Sequence, residues 1–220
     1  MRGRVALVAA LYVLPNGVYS GRADVDCWCE SRDARKYAGP WPVVAHPPCA
    51  RWGRYWSGGP SASERRKLGD DEGCFASALA AVRRWGGVLE HPEASHAWRI
   101  HALIAPPKSG GWIPADYLGG WTCCVEQGHY GHRARKATWL YACHCTVPSL
   151  RWGKSTASEK LDMGCHSKEE RARKIKTGIC QQLSHRQRQA TPPEFAELLL
   201  SIAETSRLAP FSELLEAAHG

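Results

Sequence analysis

Short apolar runs that stop abruptly at a polar or prolyl turn constrain this chain more than any other feature. "VALVAALYVL" stops at Pro15-Asn16-Gly17, "WPVVA" (Trp41 to Ala45) at His46-Pro47-Pro48-Cys49, and "VLE" (Val88 to Glu90) at His91-Pro92. Runs this short and this apolar, bounded by turn residues, read as buried strands. Amphipathic stretches lie between them. In "GCFASALAAVRRWGG" Phe75, Leu79, Val82 and Trp85 share a helical face, and Gly86-Gly87 ends it. "EASHAWRIHALI" reads as a further helix, and "WTCCVEQ" and "ATWLYACHC" as β-type runs. In "TPPEFAELLLSIAETSR" Thr191 is the expected N-cap, Pro192 takes N1 and Glu194 completes a capping box. Phe195, Leu198, Leu199 and Ile202 form the core stripe of that helix. Strands alternating with helices predict an α/β chain with a mainly parallel central sheet flanked by helices. Asn16-Gly17 between apolar runs predicts a hairpin at its start.

At 220 residues the chain suits one domain with a small appendage. The expected organisation is an α/β core over 1–150, a basic insert over 151–190, and a C-terminal helix over 191–220 packing back on the core. The formal charge is +8, and it is concentrated. Arg151 to Gln189 holds ten Lys or Arg against four acids, either the footprint of a polyanion partner or a solvated helix face. No apolar run approaches the roughly 18 residues that span a bilayer. The N-terminal "MRGRVALVAALYVLPNG" suits a core strand better than a signal peptide, which predicts a cytoplasmic protein. Ten cysteines fall below disulfide-scaffold density, so reduced thiols are expected.

In open α/β sheets, function collects at the carboxyl ends of strands. Here Cys49 closes one strand, Glu90 closes another, and a third runs into "QGHYGHRARK", Gln127 to Lys136. A thiol, a carboxylate and a cationic loop therefore converge on one predicted cleft. Apolar strand–Pro-Pro-Cys, apolar strand–Glu-x-Pro and "YGHRARKATWLY", in that order, resemble the DNA cytosine-5 methyltransferases, above all their shortened bacteriophage and prophage forms. "RQATPPEFAELLLSIA" resembles the final segment of the phage proteins, and the likeness runs from Trp41 to Ala203.

The resemblance implies a methyltransferase-like (Rossmann-like) fold and a DNA partner. It makes Cys49 the nucleophile that adds to C6 of a flipped base, held on the rigid Pro47-Pro48 turn. Glu90 would face N3 as proton donor, and His46 or His129 would help deprotonate the thiol, whose ordinary pKa is about 8.5. Gln127 and Tyr130 fall in the substrate loop, where Arg133, Arg135 and Lys136 would clamp phosphates. Trp52, Tyr55 and Trp56 would fill the vacated stack.

The N-terminal half departs from that pattern. The family binds S-adenosylmethionine with a Gly-rich turn, a crossover helix and an acid on the next strand. "ALYVLPNGVYSG" lacks both the acid and the Gly-x-Gly turn, and the short gap before "ADVD" favours a hairpin over a crossover. Asp24, Asp26 and Asp33 are the candidates for a ribose contact. S-adenosylmethionine is thus implied by resemblance and opposed by these residues. Aligned on Tyr130-Gly131, the family's Gln-x-Arg-x-Arg falls on Ala134, Lys136 and Thr138, keeping one charge of three. Four readings remain open: a minimal methyltransferase; a related pyrimidine-modifying enzyme with another donor or a protein partner; a DNA-binding relic that protects phage DNA; and a metal site. The last rests on Cys27, Cys29, Cys123, Cys124, Cys143, Cys145, Cys165 and His166, which lack the Cys-x2–4-Cys spacing zinc prefers, so zinc is not expected.

Overall fold

The computed structural model describes residues 7–58, 66–159, 161, 167–177 and 183–206. Seven strands form one sheet: β1 (Val8–Leu11), β2 (Val25–Trp28), β3 (Val43–Ala45), β4 (Gly87–Pro92), β5 (Ile113–Pro114), β6 (Trp121–Glu126) and β7 (Ala137–Cys143). Their order is β2-β1-β3-β4-β7-β6-β5. The pairings β2·β1, β1·β3 and β3·β4 are parallel, whereas β4·β7, β7·β6 and β6·β5 are antiparallel. The sheet is therefore mixed, parallel at one end only, where a mainly parallel one was expected. The four-residue β1 is buried at every position, as a strand covered on both faces must be.

Alternation along the strands builds two cores. On one face Ala9, Val43, Ala45, Leu89 and Tyr141 meet helix α1 (Cys74–Trp85) through Phe75, Leu79 and Val82. They also meet α2 (His96–Ile100) through Ala97 and Trp98. On the other face Ala10, Val44, Val88, Leu140 and Ala142 meet α5 (Pro193–Glu204) through Phe195, Leu199, Leu200 and Ile202. Two short helices, α3 (Lys168–Lys176) and α4 (His185–Gln189), bury none of their residues. Among the described residues no helix is long and apolar enough to cross a membrane.

Three expectations are corrected. The hairpin after β1 is absent. Asn16-Gly17 does turn the chain, with Gly17 N–H donating to the Leu14 carbonyl at 3.0 Å. The chain then turns again and enters β2 parallel to β1, and the crossover from Tyr12 to Asp24 is made of turns alone. The strand ends at Leu11 rather than Leu14, which leaves room for that crossover. Helix α5 starts one residue late: Pro192 is the N-cap, Pro193 takes the first turn, and no side-chain cap forms. Either proline satisfies the rule for N1, and the second wins. The helix around Trp98 covers only His96–Ile100.

The insert is not a separate unit at its start. Arg151 pairs with Glu194 at 2.9 Å, and the Ser155 N–H and hydroxyl donate to Glu126 Oε2 at 2.7 and 2.9 Å. Residues 151–159 thus strap down the loop between β6 and β7.

Candidate active site

Strand register brings the predicted residues together. Ala45 pairs with Leu89, so the next position on each strand sets His46 beside Glu90. Glu90 in turn lies opposite Leu140, two residues beyond Thr138 on β7. By alternation these groups share the face covered by α5. His46 Nδ1 lies 3.1 Å from Glu90 Oε2, and its Nε2 lies 2.9 Å from the Tyr19 hydroxyl. Gln127 Nε2 donates to Glu90 Oε1 and to Thr138 Oγ1, both at 2.9 Å. Gln127 is fully buried, and its Oε1 has no partner among the described residues.

Burial pushes the Glu90 carboxyl up, but the hydrogen bond and charge of His46, with Lys136 and His91 behind them, overcome this and bring it to about 2. Glu90 is therefore a resting carboxylate, not the resting acid expected. Cys49 follows β3 on the Pro47-Pro48 turn and is half-buried. Burial and the Glu90 charge push its thiol up, while its own backbone and Lys136 pull it down. Lys136 is pushed down by burial and drawn up by Glu90 and Cys49. The charges of Glu90 and Lys136 both reach the Cys49 thiol, which places the three groups in one locality. The Lys136 ammonium donates to the carbonyls of Gln189 and Ala190 at 3.2 and 2.9 Å.

Other expected contacts fall elsewhere. His46 is not aimed at the thiol, because Glu90 and Tyr19 hold both of its nitrogens. His129 Nε2 lies 3.1 Å from the Gly153 carbonyl. Trp52 is 3% exposed, packs on Phe75 and donates its indole N–H to Asp71 at 2.7 Å. It is core and cannot fill a vacated base stack. Tyr55 and Trp56 lie half-buried in the same loop. Tyr130 is buried against Phe195, and its hydroxyl accepts from the Arg151 N–H at 3.0 Å. It supports the loop rather than touching a substrate. Arg133 pairs with Glu159, whereas the Arg135 side chain is exposed.

Tyr19 and Thr138 complete the cluster. Thr138 is legible, since it alternates with Leu140 and Ala142. Tyr19 has no local signal. Its ring reaches His46 only because the crossover folds over the α5 face, where it is 2% exposed.

The residues at the ends of β1 and β2 do not fit S-adenosylmethionine. No helix follows β1 to offer amide groups to a carboxylate. Asp24 is bound to Arg22, Asp26 to Arg32 and the Trp28 indole, and Asp33 to Arg35. The eight described cysteines are thiols, and Cys123 and Cys143 belong to opposite cores. No group of three His, Cys, Asp or Glu suited to a metal occurs among the described residues; Cys165 and His166 lie outside them.

His91 faces the other core, edge-on to Phe75, with Nδ1 2.8 Å from Ser95 Oγ. Burial lowers it from 6.5 to about 4, against the pull of Glu90 and the Pro48 carbonyl. The unfolded chain takes up that proton below 6.5 and the folded one resists it. Stability due to His91 is thus complete above 6.5 and falls away toward 4, by roughly 3 kcal/mol. Urea titrations across this range should show the slope in the wild type and a flatter line in His91→Gln. Equal slopes would refute the assignment.

No protein-family model, curated protein or solved structure matches this chain.

Proposed function

We propose that the chain modifies a pyrimidine of DNA in the manner of the cytosine-5 methyltransferases it resembles, with Cys49 adding to C6 of a flipped cytosine. The observation that carries this reading is the placement of Cys49 just past the end of β3 and of Glu90 on the neighbouring parallel strand β4, with the Glu90 charge acting on the thiol and Lys136 acting on both. That is where an open α/β sheet collects its chemistry. The parallel block β2-β1-β3-β4 is consistent with a methyltransferase-like sheet.

In the addition, the S–C6 bond forms, the C5=C6 pair moves to C4=C5, the C4=N3 pair moves onto N3, and N3 takes up a proton passed on by the Glu90 carboxylate, which must first receive it. The thiol proton is released to solvent, so one proton leaves as one is taken up. C5 becomes electron-rich and open to an electrophile. Lys136 favours the thiolate that must form. The unpartnered Gln127 Oε1 is an acceptor suited to an exocyclic amino group. Because the cofactor residues do not fit S-adenosylmethionine, no step is routed through it, and the group transferred is left to measurement.

Nucleoside mass spectrometry of DNA co-expressed with the chain tests the reading. A modified pyrimidine is expected with the wild type, falling at least about 10³-fold with Cys49→Ala. Modification that survives the substitution would overturn the role of Cys49. A second reading, DNA binding without chemistry, is favoured by the resting state of the thiol and by the engaged acids beside β2. It predicts unmodified DNA from both proteins, together with a retained gel shift of duplex DNA.

A further inference from the structure

Beside Cys49 and Glu90 the cluster contains two groups that the addition itself does not use. Tyr19 comes from the turn-built crossover, His46 from the end of β3, and Glu90 from β4. Together they form an unbroken chain: Tyr19 hydroxyl to His46 Nε2 at 2.9 Å, then His46 Nδ1 to Glu90 Oε2 at 3.1 Å. The far oxygen of Glu90 is closed off by Gln127 and Thr138, so protein-borne protons reach the carboxylate through His46. We propose that Tyr19 and His46 are positioning residues forming a proton path to Glu90, with His46 supplying the proton that Glu90 passes to ring nitrogen N3. This inference rests on the base-modifying reading above and extends it.

The protons balance. Imidazolium His46 gives its Nδ1 proton to Glu90, Glu90 gives its own to N3, and neutral His46 regains one from solvent. The charged and titratable groups around the path are few. Lys136 and His91 act on Glu90, whose charge reaches Cys49, and Arg22, Glu197 and Cys27 act on Tyr19. Desolvation and the Glu90 charge keep the Tyr19 phenol neutral, suited to hold a ring nitrogen rather than to titrate.

The test reads Glu90 itself and needs no turnover. Infrared pH titration of the whole chain, with Glu90→Gln subtracted to isolate the Glu90 carboxyl band, gives its protonation midpoint. His46→Gln should raise that midpoint by at least about one pH unit, the effect of removing an adjacent cation. Tyr19→Phe should raise it by less. Added imidazole should restore the low midpoint in His46→Gly, a rescue that a merely structural role would not give. If His46→Gln fails to fold by circular dichroism, Tyr19→Phe and the rescued His46→Gly decide the matter. An unmoved midpoint in folded variants overturns the proposal. A moved midpoint with DNA unmodified by the wild type upholds the coupling of Tyr19 and His46 to Glu90 and instead removes the base-modifying reading.

Discussion

Gly87→Ala is expected to leave the chain largely unfolded. Gly87 opens β4 with φ +117°, and a Cβ there would lie 2.0 Å from the Val43 carbonyl oxygen and 2.7 Å from the Val43 nitrogen. Both atoms are backbone, so no side chain can swing away. The same residue pairs with Val43 on β3 and Cys143 on β7. Relief of the clash would therefore part the parallel half of the sheet from the antiparallel half. A backbone conformation of this kind costs on the order of 1–3 kcal/mol before the collision is counted. With the pairing of two central strands also lost, the sum approaches the 5–15 kcal/mol that typically holds a domain together. Soluble yield and thermal melting check this. A melting temperature within about 3 °C of the wild type would show that the strands yield more easily than the geometry allows.

The second large effect is expected at Glu90. Glu90→Ala removes the partner of His46 Nδ1, one of the two acceptors of the Gln127 amide and the anion whose charge Lys136 feels, all in a buried place. Breaking one side of such a cluster costs roughly 3–5 kcal/mol. Glu90→Gln keeps the volume and an acceptor oxygen, so most of the stability should remain while base modification is lost. Urea denaturation of both variants, beside nucleoside analysis, separates the two roles. An alanine variant as stable as the wild type would mean that the cluster contributes no net stability. The carboxylate also links the fold to acidity. Its folded value of about 2 lies below the usual 4.5, so its contribution is present above 4.5 and fades as pH falls toward 2.

The central strands, and with them the placing of His46 beside Glu90, were legible because they rest on local pattern: an apolar run, then an abrupt stop. What failed rests on distant contacts. Asn16-Gly17 makes a turn as its chemistry requires, yet which strand β2 pairs with is decided at the sheet edge, not in the turn. Trp52 looks like any exposed aromatic beside a reactive cysteine until Phe75 and Asp71, far along the chain, enclose it. Whether His46 serves the thiol or the carboxylate depends on Tyr19, whose burial no sequence period announces. The doubled proline before α5 carries two equivalent start signals, and only packing chooses between them.

Helix α5 has a consequence for the order in which the molecule is completed. It contacts β1, β3 and β4, and lies beneath the face that carries His46 and Glu90. Synthesis runs from the N-terminus, so Val44, Val88 and Leu140 emerge from the ribosome long before Phe195, Leu199 and Ile202 exist to cover them. Until then the reactive face has no floor, and a nascent chain interrupted before residue 193 presents a greasy half-sandwich to whatever chaperone it meets.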